Sequence, residues 1–297
     1  MLCKKCNKQV SILDNQCPHC GYDLTKVDVE KRYVDFPKSK WVNEVEKKWK
    51  AQVSFSSSFK NEGVDGYRPW GSMMNEIKEM VFANPYVTGN PLYCAKSKDT
   101  EFIYDQENLN VNAYASFGEN GSRIVFFEGY LNLLFAIEAI FKHLSYANLT
   151  TLGKTLFENN FHLHFEEIFK VVNVELNEEI IRNSFISSFE TIAHELGHIC
   201  LDHIFSPKQS LDVSRNMERQ ADEFAASLIS SSAFSDKLFI AHIKCCVAWA
   251  VIEKVGGVVE PNTHPLALER LRNAIRNNLE LAQNLDIDED WVTKLFG

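Results

Sequence analysis

His194-Glu195-Leu196-Gly197-His198 sets two imidazoles four residues apart with a carboxylate beside the first. Apolar residues at 185, 189, 192, 196 and 199 keep a three/four rhythm around it, which predicts one amphipathic helix over 185–203. Positions four apart on a helix are turned by ~40° and separated by ~6 Å along the axis, so both rings project to one side. They can share a zinc ion at ~2.0–2.1 Å, and Glu195 can then reach a water on that ion as a general base.

Two histidines leave the ligand set short, because catalytic zinc takes three protein ligands and keeps one position open. A third histidine in an HExxHxxGxxH pattern fails: Leu201 and Ile204 stand where Gly and His are needed, and His203 is one residue off. His203 is therefore expected to pack or meet solvent. The stretch from Asn216 to Ala226 reads as a second helix, buried through Met217, Ala221, Phe224, Ala225 and Leu228. Glu218 and Asp222 share its other face, which suits Glu218 as the third ligand and Asp222 as the carboxylate that orients a ligating histidine. Glu223 reads as a solvated charge, and Cys245-Cys246 as core.

A second metal pattern lies in residues 1–24. Cys3-x-x-Cys6 and Cys17-x-x-Cys20 are two thiolate pairs across a ten-residue spacer, enough for a closed tetrahedral zinc site. So short a segment cannot bury a core of its own, so zinc would supply its folding free energy. The pattern resembles a zinc ribbon. Its three lysines against two aspartates, with Tyr22 as its aromatic residue, favour protein docking over nucleic-acid binding.

The elements that must position these groups follow from the rest of the 297 residues. Residues 25–68 read as a linker with one helix, marked by Trp41, Val45 and Trp49 and followed by a Ser/Gly-rich stretch. Residues 69–297 form the main domain. Met73–Phe82 is predicted helical, with strands at 102–104, 109–117 and 123–127. The last two are joined by Gly118-Glu119-Asn120-Gly121, a hairpin signal because Asn and Gly tolerate positive φ. Residues 128–143 are predicted helical, and most of the chain beyond 180 likewise. The expected fold class is α+β: a mostly helical zincin-type domain with a small antiparallel sheet, preceded by the ribbon.

Hydrophobic residues make up 45% and charged residues 24%, which excludes a wholly disordered or fibrous chain. Thirty-one basic against 40 acidic residues give −9, a balance that disfavours nucleic-acid partners. No secretory leader or spanning helix is visible, and 238–259 is broken by His242, Lys244, Glu253 and Lys254. The expected compartment is the cytoplasm, with no membrane partner.

HExxH followed by an ExxAD helix resembles the gluzincin metallopeptidases, in particular the family of HtpX-type heat-shock proteases and CaaX prenyl proteases. Asn112-Ala113-Tyr114-Ala115 resembles that family's edge strand. Arg123 to Leu131 resembles the strand leading into its "GLL" helix. Thr263-His264-Pro265 with Leu268-Glu269-Arg270-Leu271 resembles its late "THP…ER" motif. The resemblance spans residues ~100–275. It implies a zinc endopeptidase acting on a protein or peptide, with Asn112, Ala113 and Tyr114 holding substrate and His264 stabilising the oxyanion. About residues 140–188 stand where the family runs almost directly into HExxH, which suggests a lid or docking insert, and the membrane helices of those branches are absent. The second helix is equally similar to that of the soluble ImmA/IrrE-type peptidases. Soluble HExxH peptidases of phage exclusion are a more distant comparison. The alternative is a non-catalytic zinc-binding regulatory protein, which leaves Glu195 without a purpose.

Overall fold

The computed structural model describes residues 19–20 and 70–297, apart from 120, 144–145, 166, 169–177, 206–209, 258–263, 286 and 297. The expected ribbon and the linker helix lie outside the described residues, save for His19 and Cys20, which fall in a turn.

Three helices open the described chain: α1 (Trp70–Phe82), α2 (Pro85–Thr88) and α3 (Pro91–Lys98). Asn-Pro steps set the two breaks. Asn84 and Asn90 each accept backbone N–H groups of the helix that follows, and each proline occupies a first-turn position where no N–H is needed. The sheet comes next, as β1 (Thr100–Asp105), β2 (Ala113–Gly118) and β3 (Gly121–Phe127) in the order β1-β3-β2. It is mixed, not antiparallel as expected: β1 runs parallel to β3, and β2 antiparallel to it. The hairpin is where the Asn-Gly step predicts it, with Gly118 opposite Gly121 and Gly121 at φ 125°, a conformation side chains resist. β2 begins at 113 and not 109; residue 110 makes only an isolated bridge to His162.

The helices that follow among the described residues include α4 (Glu128–His143), α5 (Tyr146–Glu158), α6 (Glu178–Cys200), α7 (Leu211–Ser231), α8 (Ser235–Val255), α9 (Ala267–Asn277), α10 (Leu279–Asn284) and α11 (Glu289–Phe296). α6 packs against α1, α3, α4, α7 and α8 together with β2 and β3. Burial on all sides explains its apolar run, with Phe185, Phe189, Ile192 and Leu196 essentially inaccessible. It begins at 178, seven residues before the predicted start, so the 140–188 segment contributes α5 and the first half of this central helix. Leu149, Leu152 and Leu156 of α5 are buried in the core. No helix of the described residues is long and apolar enough to cross a membrane.

Candidate metal centre

Glycine at the middle of the HExxH segment sets the distance between α6 and α7. A Cβ on Gly197 would lie 3.2 Å from the Cα of Ala221 and 3.2 Å from the Cβ of Phe224, so α7 approaches α6 backbone to backbone at this turn. That approach carries Glu218 and Asp222 of α7 onto the two histidines of α6.

The Nε2 atoms of His194 and His198 face each other at 3.1 Å. Glu218 Oε2 lies 3.2 Å from His194 Nε2, and Oε1 lies 3.6 Å from His198 Nε2. Ligand atoms held at ~2.0–2.2 Å on a tetrahedral ion lie roughly 3.3–3.5 Å from one another, so this spacing fits zinc. The donor set fits as well, with two imidazoles and one carboxylate leaving the fourth corner open.

Each histidine is held by its other nitrogen. His194 Nδ1 donates to Asp222 Oδ1 at 2.9 Å. His198 Nδ1 lies 3.0 Å from His203 Nδ1, and His203 Nε2 lies 3.0 Å from Gln220 Oε1. With His198 Nε2 free to bind a metal, the protons run one way: His198 donates to His203, and His203 donates to Gln220. His203 therefore does more than pack or meet solvent: it stands between His198 and Gln220, in contact with both. Asp202, at φ 63°, turns the chain back at the end of α6, and Lys96 donates to both Cys200 O and the Asp202 carboxylate across that turn.

Asp222 is itself clamped. Arg270 of α9 donates through Nε to Oδ2 at 3.0 Å and through Nη2 to Oδ1 at 2.6 Å. The same Nη2 reaches Glu190 Oε1 at 3.2 Å, one turn before His194 on α6. His242 of α8 lies 3.4 Å from Glu190 and 3.7 Å from Cys246 Sγ. A chain of polar contacts thus runs from His194 through Asp222, Arg270 and Glu190 to α8.

The charges respond to this crowding. Burial works against a proton on His194, but hydrogen bonds to Asp222 and Glu218 overcome it and raise the group to about 10. Burial would raise Glu218 too, yet the three histidines around it hold it well below the usual carboxylate range. Glu190 is likewise held down to about 2 against its burial, by His242 and Arg270. Among the described residues, two groups have the geometry to hold a metal, His194 with His198 and Glu218, and Glu190 with His194 and Asp222. In the second group the Arg270 guanidinium already bridges the two carboxylates.

Glu195 is buried, and its Oε2 accepts the Ala115 N–H of β2 at 2.7 Å. Desolvation raises its pKa above the ordinary carboxylate value. The bond to Ala115 ties the HExxH glutamate to the edge strand. Asn112 accepts the Phe127 N–H through its backbone oxygen, and Tyr114 packs edge-on against Phe127. His264 is mostly exposed, and its Nδ1 sits 2.8 Å from Glu218 Oε2, beside the proposed ligands. Glu223 is exposed, and Cys245 and Cys246 are buried, as predicted.

A mostly helical domain with a buried His/Glu cluster on two packed helices is consistent with a metal-dependent hydrolase. Residues 176–287 match a family model described as Peptidase U49, a span that contains α6, α7, α8 and α9 and all the side chains of the centre. No curated protein and no solved structure matches the chain.

Proposed function

We propose that the chain is a zinc-dependent endopeptidase, with His194, His198 and Glu218 as the ligands of a catalytic zinc. The observation that carries this reading is the Ala115 N–H bond to Glu195, which joins a carboxylate beside the metal-facing histidines to the open edge of a sheet. Zinc bound there would act as a Lewis acid and lower the pKa of a water toward ~7. Glu195, beside the first ligand and held by the Ala115 N–H, would be the base that takes a proton and passes it to the leaving amine. Asp222 and His203 would keep both imidazoles turned inward, each accepting the Nδ1–H hydrogen bond of one ligand. An extended substrate would lie along β2 at Ala113 and Tyr114, adding a strand to the sheet, with Asn112 at the strand's entry. His264, on the exposed side of Glu218, would face the oxyanion that develops at the attacked carbonyl. A structural zinc on Cys3, Cys6, Cys17 and Cys20 completes the proposed metal content of two ions per chain, with the ribbon as a protein-docking module.

Glu195→Gln tests the assignment. It keeps the shape of the side chain and both metals but removes the base, so hydrolysis of a peptide pool should stop while zinc content stays at two. Undiminished cleavage by the variant would remove the peptidase mechanism and leave the chain as a zinc-binding regulatory protein.

A further inference from the structure

β2 offers its outer edge to an added strand, and the register shows which of its peptide groups face outward. Alternate residues of an antiparallel pair point their N–H and C=O groups toward the partner and away from it. Ala115 sends its N–H to Glu195 and not to β3, while Phe127 N–H is accepted by Asn112 O. The outward peptide groups are therefore those of Ala113, Ala115 and Phe117, and among the described residues no second strand lies on that side of β2.

Phe117 ends this row. Phe117 is 59% exposed, on the strand proposed to receive substrate. The ring meets Phe205, 54% exposed, in an edge-to-face contact with centroids 5.1 Å apart. Phe205 belongs to the single turn His203–Phe205 that follows α6 and holds His203 against His198. The two rings thus stand at one end of the proposed centre, one on the strand that would bind substrate and one on the turn that steadies a ligand. A single exposed aromatic needs no explanation, but two in contact at the rim of a cleft form an apolar platform.

We infer that Phe117 and Phe205 form a substrate subsite that takes a large apolar or aromatic side chain. This rests on the peptidase reading. Residues directly opposite in an added strand have their Cβ atoms ~4.5–5.5 Å apart and on one face of the sheet. The substrate residue paired with Phe117 therefore lays its side chain against both rings. Two strand residues span ~6.6–6.8 Å, so that residue lies two positions from the one opposite Ala115 and Glu195. The substrate class is an extended polypeptide segment with a large apolar residue within about two positions of the bond that is cut.

The test is digestion of a proteome-derived peptide library by the full-length, zinc-loaded protein, with cut sites read by mass spectrometry. Wild type should show enrichment of Phe, Tyr, Trp, Leu, Ile or Met at one fixed position. Phe117→Ser and Phe205→Ser should each cut preference at that position by roughly tenfold, the size expected when an apolar pocket loses its filling, and Phe117→Tyr should keep it. Both rings are exposed, so the variants should match wild type in zinc content and melting temperature. Cleavage with no apolar preference, or a preference unchanged in the serine variants, overturns the subsite while leaving the peptidase reading intact. No cleavage of any peptide by wild type overturns both.

Discussion

Replacing Arg270 by methionine keeps most of the side-chain volume and removes the cation that joins α9 to the centre. The guanidinium donates to both Asp222 and Glu190, whose side chains are 10% and 9% exposed, and is itself 24% exposed. Removing one partner of a buried ion pair costs ~3–5 kcal/mol, because the remaining charge stays buried and uncompensated. His242 stands 3.4 Å from Glu190 and offsets part of its charge, so Asp222 carries the larger share. For a domain of this size, ~3–5 kcal/mol corresponds to a fall in Tm of roughly 6–20 °C. An Asp222 released from its clamp should also hold His194 less well, with zinc affinity falling ~10–100-fold. Thermal unfolding and competition with a chromophoric chelator read the two effects. Arg270→Lys should recover part of the stability, since a point charge cannot fork across two carboxylates. Adding Glu190→Gln to the methionine variant should restore some stability by removing one orphaned charge. A methionine variant within ~1 kcal/mol of wild type, with unchanged zinc affinity, would refute the buried relay.

Glu190 also predicts an acid limb of stability. Its pKa is depressed from 4.5 to about 2 on folding, so its contribution is complete above pH 4.5 and is lost as pH falls toward 2. The full shift amounts to about 3 kcal/mol. Between pH 5 and pH 3, urea unfolding should show a loss roughly 2 kcal/mol larger in wild type than in Glu190→Gln. The loss left in the variant comes from Glu218 and Asp222, whose carboxyls are also held down by their partners. Gly197→Leu should push α7 off α6 and lower both the Tm and zinc occupancy, whereas Gly197→Ala, which meets Ala221 and Phe224 at 3.2 Å, should cost far less. Equal behaviour of the two variants would count against the close approach. Deleting residues 1–24 should lower zinc from two ions to one and leave peptide hydrolysis chemistry intact; an unchanged count would place no metal on the four cysteines.

Local pattern revealed the parts of the centre that depend on one helix. His194 and His198 are neighbours by the helical repeat alone, and Glu218 with Asp222 are neighbours on a second helix by the same rule. Glu190 carries that signal too, one turn before His194, but Arg270 as its partner is contributed by a helix 80 residues away and no spacing announces it. His203 escaped for a different reason. The helix reads as continuous to 203, while Asp202 adopts positive φ and folds His203 back onto His198. A side chain's direction after a left-handed residue is not contained in a periodic pattern. The sheet's order was equally hidden, since nothing local distinguishes a strand paired in parallel from one paired antiparallel. The hairpin was visible because its turn chemistry is local.

The most direct test of the centre is an anomalous difference map at the zinc edge from crystals of the zinc-loaded protein. A peak within ~2.0–2.2 Å of His194 Nε2, His198 Nε2 and a Glu218 carboxylate oxygen is the predicted result. A zinc-replete crystal with no peak among these three side chains, or with Glu218 turned away from it, would contradict the account.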